Sequence, residues 1–278
     1  MNKIVLSLPI GLRLLRRLRF PHKLGLLDRL YGGNLSRAGV AWVKTANGPV
    51  WKLDLRSGSH RWIVYGDYGG PTFLRWARHW LRTGGVVIDS GANIGQTVLY
   101  FAALDNTTVY AFEPNNEPAL WLEECLREQP GWSVEIVRQG LSDVLSQLSL
   151  VVPDFIGEHG AQATLHTEWY GEQKRAMVSI PVDRLDTFIE KRNISTIRLW
   201  KLDVEGWELN ALRGAEKAFR RKAIDAVFLE LHPANSEAVG EFIKSCGYDW
   251  FAIGSGGKLE KFQGKATRDL ADVVVLPV

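Results

Sequence analysis

From residue 86 onward, short apolar runs alternate with segments whose apolar positions recur every three or four residues. The runs at 86–90 (VVIDS), 108–113 (TVYAFE), 134–138 (VEIVR), 198–203 (RLWKLD) and 226–231 (AVFLEL) are apolar at successive positions, the pattern of strands covered on both faces. Between and after them, 94–104, 116–128, 184–192, 207–221 and 235–246 carry helical spacing. The alternation predicts an α/β fold built on a mostly parallel sheet with helices on both faces. Residues 144–182 interrupt it: LSLVVP and MVSIPV read as strands around a polar stretch, a hairpin-like insertion. YDWFAI and ADVVVLPV add two strands at the end, joined by a turn containing Gly254, Gly256 and Gly257.

The first 82 residues follow another pattern. Residues 10–19 suit a short amphipathic helix, with Ile10, Leu14 and Leu18 on one face and Arg13, Arg16 and Arg17 mainly opposite. Residues 40–70 predict β structure. VAWVKTANGPVWKLDL alternates on both sides of Asn47-Gly48, a hairpin signal, and a second hairpin or loop is expected around IVYGDYGG. PTFLRWARHWLR then has helical spacing, with Phe73, Leu74, Ala77, Trp80 and Leu81 on one side. The expected organisation is an N-terminal helical and β-hairpin extension over 1–82 and a Rossmann-like domain over 83–278.

Composition changes this picture little. A chain of 278 residues with 46% hydrophobic and 23% charged residues can bury a core. A net charge of +3 by itself implies no nucleic acid, but its distribution is uneven. Residues 1–30 carry +6 and the remainder −3. The acidic body argues against a nucleic-acid partner. The basic start has two readings, a helix docked on its own domain and a weak contact with an anionic membrane surface. No apolar run reaches the length of a membrane span, and no small-residue cleavage site follows the opening residues. The expected location is the cytoplasm, with peripheral membrane contact as the second reading of the basic segment. Cys125 and Cys246 show no metal spacing and read as reduced packing residues.

Candidate chemistry begins at VVIDSGANIGQTVLY. An apolar strand ends at Asp89, Gly91 and Gly95 allow a tight turn and close ligand approach, and a helix follows. Asn93 stands where a left-handed residue is expected, which Asn tolerates. Neither GxGxxG nor GK[ST] is present. Glu113 ends the next strand, 22 residues after Gly91, where an acid can accept hydrogen bonds from both ribose hydroxyls of an adenosine. Asp89 would repel a pyrophosphate and suits a ligand with a cationic amino-acid end. The pair therefore favours S-adenosylmethionine over a nicotinamide cofactor.

WKLDVEGWELNALRGAEKA and AVFLELHP form a second constellation. Asp203 and Glu205 share a strand face if the strand extends that far, as do Glu230 and His232. Neighbouring strands would gather them at the C-terminal sheet edge, where such sheets bind ligands. The alternative is that they are helix caps and loop residues. Glu208 and Asp225 are expected on solvated surfaces.

These stretches resemble the FkbM family of S-adenosylmethionine-dependent methyltransferases. The carriers are VVIDSGANIGQTVLYFA, VYAFEPNNE, GLSD at 140–143, VDRLDTFI at 182–189, KLDVEGWELNALRGA at 201–215 and FLELHP at 228–233, in the family's order over roughly residues 50–235. The resemblance implies a class I methyltransferase fold, Rossmann-like, whose seven-stranded sheet has an antiparallel last strand. It implies methyl transfer to a hydroxyl of a sugar, glycan or natural-product acceptor. It places Asp89, Gly91, Asn93 and Gly95 along the methionine end, Glu113 on the ribose, Asp143 near the adenine, and Asp203 and Glu205 at the transfer site. His232 is the expected general base, because an unperturbed imidazole titrates near working pH. A variant has Asp203, Glu205 and Glu230 binding a divalent cation that lowers the hydroxyl's pKa. Trp62, Tyr65, Tyr68, Trp169, Tyr170 and Trp207 are candidate walls for the acceptor, with core packing as the other reading of each. Two other functions stay open on sequence: a nicotinamide-dependent oxidoreductase and a catalytically silent scaffold.

Overall fold

A computed structural model describes residues 4–18, 20–45, 49–66, 71–153, 164–165, 175–231, 235–254, 257–262 and 271–278. The strands, in chain order, are β1 (Val40–Lys44), β2 (Val50–Asp54), β3 (Gly85–Ser90), β4 (Thr107–Phe112), β5 (Ser133–Val137), β6 (Gly140–Leu141), β7 (Ser146–Pro153), β8 (Arg175–Asp183), β9 (Leu199–Leu202), β10 (Val227–Leu231), β11 (Tyr248–Ile253), β12 (Leu259–Lys261) and β13 (Ala271–Pro277). Eight of them form one sheet in the order β12-β11-β13-β10-β9-β3-β4-β5. From β5 to β10 every pairing is parallel, and β13 runs antiparallel between β10 and β11. The antiparallel last strand is thus present, and the short β12 adds an eighth member to the seven expected.

The sheet separates two apolar layers, and strand periodicity decides which residues enter each. Val87, Val109, Ala111, Leu199, Phe228 and Val274 face one layer. Their neighbours Ile88, Phe112, Trp200, Val227, Leu229 and Val275 face the other. Helices Leu185–Lys191, Glu208–Arg213, Glu216–Arg220 and Ser236–Ser245 pack on the second side. The first side is covered by helices Pro71–Trp80, Val98–Ala102 and Asn116–Arg127, and by residues from the N-terminal segment. Trp200 is fully buried and donates its indole N–H to Ser90 Oγ at 2.8 Å, so its polar atom costs nothing to bury.

The expected β1–β2 hairpin is present, with Lys44 opposite Val50, while Asn47-Gly48 lies outside the described residues. The expectation of β structure or loop beyond it is corrected by the helix Gly58–Tyr65. His60, Ile63 and Val64 are spaced to bury one helical face, and Gly66, at φ +78°, ends the helix in a left-handed turn. The expected helix at 94–104 shortens to Val98–Ala102, because turns occupy 93–97. The segment 207–221 splits into two helices at Gly214-Ala215. The insertion is the long β7–β8 hairpin, joined by β6 to form a three-stranded sheet. Cys125 and Cys246 are buried and form no disulfide.

Candidate active site

The ionisable side chains collect on one face of the sheet for the reason that sorts the core. Asp89, Glu113, Lys201, Glu230 and Asp272 have the same strand parity as Val87, Val109, Leu199, Phe228 and Val274. Asp89 lies beside Lys201 in the parallel β3–β9 register, and Glu230 lies opposite Asp272 in the antiparallel β10–β13 register. The first four lie at the C-terminal ends of the parallel strands and Asp272 at the adjoining start of the antiparallel β13, the edge where open α/β sheets bind ligands. A hollow lined by 102–108 and 131–133 lies at the opposite edge, before β4 and β5, away from these groups.

The first half of the site is the turn after β3. Gly91 has φ +78°, and a Cβ there would stand 1.8 Å from the Asp203 carbonyl oxygen. Only glycine allows β3 and β9 to close so tightly. Asn93 is left-handed at φ 49°, as its position predicts, and its amide donates to Glu113 Oε2 at 2.8 Å. The amide of Asn115 donates to Glu113 Oε1, also at 2.8 Å. Glu113 therefore ties two loops together through both oxygens, each of which keeps a free lone pair. Burial pushes its carboxyl up to about 7, against the pull of these two backbone amides and Lys201.

Asp89 is fully buried. The Thr97 hydroxyl donates to its Oδ2, while Oδ1 lies 3.6 Å from Lys201 Nζ and has no hydrogen bond. Burial raises its pKa and Lys201 opposes that rise. From the sequence alone, the cation facing Asp89 is expected to come from a ligand. In the folded chain Lys201 already stands there, and sequence reasoning did not single it out. Its ammonium also meets Asp203 Oδ2 at 3.0 Å and the Gly91 carbonyl at 3.3 Å. Burial alone would lower its pKa, but Asp203 and Asp89 reverse the shift and hold it above the ordinary lysine value.

The second half is a cluster of carboxyl groups. Asp203, Glu205 and Glu230 each place an oxygen within 4.8 Å of the others. That spacing of hard oxygen donors could hold a divalent cation. Asp203 and Glu230 share a hydrogen bond. Burial pushes Asp203 upward, but Lys201 and that bond outweigh it and keep Asp203 ionised. Glu230 takes the proton: burial and then Asp203 push its pKa up to about 9. Burial, Asp203 and Glu208 push Glu205 up to about 8. Glu205 sits in left-handed backbone at φ 50°, an uncommon state for a non-glycine residue, with Gly206 at φ 95° beside it. The Thr164 hydroxyl donates to the Glu205 carbonyl at 2.8 Å, connecting the insertion to this turn.

The remaining expectations divide. Asp143 accepts from Asn210 Nδ2 at 3.3 Å and from Ser142 Oγ at 3.2 Å. His232, Tyr68, Trp169 and Tyr170 lie outside the described residues. Tyr65 is fully buried and donates to Asp28, so packing is its role. Trp207 is half-buried with its indole N–H on Ser142, and Trp62 is exposed. Glu208 corrects the surface assignment: it is 2% exposed and accepts from the Gly206 amide at 2.8 Å, capping the turn beneath Glu205. Asp225 is half-buried in an ion pair with Arg198 at 2.9 Å. Asp272 was missed because nothing local announces it; only the antiparallel pairing of the last strand brings it opposite Glu230.

Residues 89–250 match the model of the methyltransferase FkbM domain. The chain belongs to the FkbM methyltransferase family. This match settles the choice between methyltransferase and oxidoreductase classes for the family. Methyltransferase 1 of Beauveria bassiana is 27% identical over 162 residues, covering 52% of this chain and 64% of that protein. The alignment thus spans less than two thirds of that relative. The hexuronic acid methyltransferase AglP of Haloferax volcanii is 25% identical over 190 residues, 68% of this chain and 74% of that protein. Among solved structures, an rRNA methylase from Streptococcus thermophilus superposes with a TM-score of 0.43 at 12% identity, covering 73% of this chain and 92% of that one.

Proposed function

We propose that this FkbM-family chain is an S-adenosylmethionine-dependent O-methyltransferase acting on a hydroxyl of a sugar, glycan or related natural product. The observation that carries the reading is the bridge made by Lys201. One buried ammonium joins the glycine turn, at Gly91 and Asp89, to the acid cluster, at Asp203. A cofactor cradle and a proton-accepting cluster are thereby held side by side.

The cradle fits the cofactor on three counts. Gly91, lacking a Cβ, lets the turn after β3 close onto the Asp203 carbonyl, the buried Asp89 Oδ1 has no hydrogen bond, and Glu113 keeps lone pairs for two ribose hydroxyls. Asp89, Gly91, Asn93 and Gly95 would lie along the methionine end and Asp143 beside the adenine. S-adenosylmethionine supplies a methyl carbon already activated by its sulfonium. The chain must align the acceptor oxygen and remove its proton. Glu205 is assigned that proton, because it is half-buried beside Asp203 and shows no hydrogen bond from its own carboxyl among the described contacts. As the acceptor oxygen bonds to the methyl carbon, the carbon–sulfur bond breaks and the hydroxyl proton passes to Glu205. Crowded carboxyl groups favour a neutral acceptor at this point over an anionic one. The hexuronic acid methyltransferase relative supports the sugar class of the acceptor and, being named for an acidic sugar, not its neutrality.

Calorimetric titration with S-adenosylmethionine, then methyl transfer to a panel of neutral glycosides, tests the reading. Binding and transfer are expected, and absent cofactor binding returns the chain to a silent scaffold. Glu205→Gln should lower kcat by about 10²–10⁴-fold while leaving cofactor binding intact. Because Glu205 must be ionised to accept a proton, kcat should rise with pH and level off above about 8. Loss of activity in His232→Ala with full activity in Glu205→Gln would move the base to His232. Activity that survives EDTA rejects the cation variant.

A further inference from the structure

A different part of the chain carries an unused surface. Helix α1 (Ile10–Leu15) turns Leu12 inward, with Leu8 and Arg16 one turn to either side. Helix α2 (Lys23–Leu27) turns Lys23 and Leu27 inward. Their outer faces are apolar as well. Ile10, Leu14, Leu18, Leu26 and Leu30 are between 46% and 74% exposed. Ile10 and Leu14 are one turn apart, as are Leu26 and Leu30, so each stretch presents a pair on one side. The two stretches are neighbours: Lys23 reaches the Arg16 carbonyl, and a Cβ on Gly11 would stand 2.5 Å from the hydroxyl of Tyr31, in the π-helix Asp28–Gly32 that continues the second helix.

The charges sort by the same geometry. Arg16 and Lys23 are buried and spent internally, Arg16 on the Lys44 carbonyl and Lys23 on the Arg16 carbonyl, both at 2.9 Å. Arg16 is opposite Ile10, Leu14 and Leu18 as expected, but its side is the one turned inward. Arg13, Arg17 and Arg29 are exposed, beside Leu14, Leu18 and Leu30. The acid of this segment, Asp28, is neutralised by Arg61 at 2.6 Å. Exposed leucines flanked by unopposed arginines match an interface that is apolar below and anionic above.

We propose that residues 4–30 form a docking surface for an anionic lipid bilayer. The leucines enter the acyl boundary while Arg13, Arg17 and Arg29 meet the headgroup charge. The surface is independent of the methyl-transfer reading and stands or falls without it.

The full chain should be centrifuged with phosphatidylcholine vesicles, with and without phosphatidylglycerol. Binding is expected only with phosphatidylglycerol, and it should weaken as salt rises. Arg13→Gln/Arg17→Gln should lower the partition coefficient about thirtyfold, or about 2 kcal/mol. Leu14→Ser/Leu26→Ser should lower it at least tenfold, with an unchanged melting profile as the control for folding. Equal binding to neutral vesicles, no binding to either, or variants that bind like the parent would overturn the proposal. So would a dimer in sedimentation that Leu14→Ser/Leu26→Ser dissolves, since the surface would then belong to a second copy of the chain.

Discussion

The two halves of the site solve opposite problems with the same residue type. Around Glu113 and Asp89 the chain spends its own donors on the carboxyl groups: two backbone amides on Glu113, and a hydroxyl with a nearby ammonium on Asp89. Around Asp203, Glu205 and Glu230 it does the reverse, where burial and then the neighbouring Asp203 raise Glu205 to about 8 and Glu230 to about 9. Burial raises acids in both halves, Glu113 to about 7 among them, so the halves differ in their partners: donors hold Glu113 and Asp89 in a frame, whereas Glu205 and Glu230 face other carboxyl groups and rise further. Lys201 belongs to both, so the comparison can be broken there or sharpened on either side.

The largest effect is expected where the halves touch through backbone. Gly91→Ala sets a Cβ 1.8 Å from the Asp203 carbonyl in a left-handed position. Either β3 and β9 separate or the turn changes shape. A loss of more than about 4 kcal/mol is expected in denaturant unfolding, together with loss of cofactor binding. Near-normal stability with intact binding would mean that the two strand ends are not held this closely.

Lys201→Met ranks next. It leaves Asp89 and Asp203 without their buried cation, a change that costs about 3–5 kcal/mol when one partner of a buried pair is removed. Lys201→Arg keeps the charge and should recover part of the loss. A positioning role predicts more than lost stability: the pH at which kcat levels off should move upward in Lys201→Met, since the acids lose the charge that favours their ionised forms. An unmoved pH profile would confine Lys201 to a structural part.

These two residues also show what was legible in the chain. The strands, the glycine turn and most of the acids could be read because burial on both faces and strand-end carboxylates leave local marks. Lys201 left none: within RLWKLD it looks like one polar position in an apolar run, and only the register opposite Asp89 gives it a role. Glu208 was misplaced on the surface because helix starts favour acids in water, and its bond to the Gly206 amide is a tertiary fact. The helix Gly58–Tyr65 was missed for a related reason. Its apolar residues, Trp62 to Tyr65, are consecutive and aromatic or β-branched, the local mark of a strand, and its helical register is set by packing against the segment before it.

A smaller effect comes from relieving the crowd. Glu230 is raised above its unfolded pKa, so the stability it contributes is present at low pH and lost as pH rises towards about 9. Glu230→Gln removes that titration. Melting temperature should fall with alkaline pH in the parent and fall less in the variant, the gap widening between the ordinary carboxylate range and about 9. Each kcal/mol is worth about 2–4 °C in a chain of this size. Parallel curves for the two proteins would show that Glu230 is not protonated in the folded state.

The smallest effect separates backbone from side chain on the satisfied side. Asn93 holds Glu113 through its amide, which any residue other than proline supplies, while its own side chain accepts from Ile94 N at 2.7 Å. Asn93→Ala keeps the amide but must adopt φ near 49° without the stabilising side chain, at a cost of about 1 kcal/mol. Asn93→Gly accepts that φ freely and should lose only a few tenths of a kcal/mol in urea unfolding. If both variants bind S-adenosylmethionine like the parent, the backbone bond to Glu113 suffices to form the cradle. If Asn93→Gly binds much more weakly while unfolding normally, the carboxamide itself faces the cofactor.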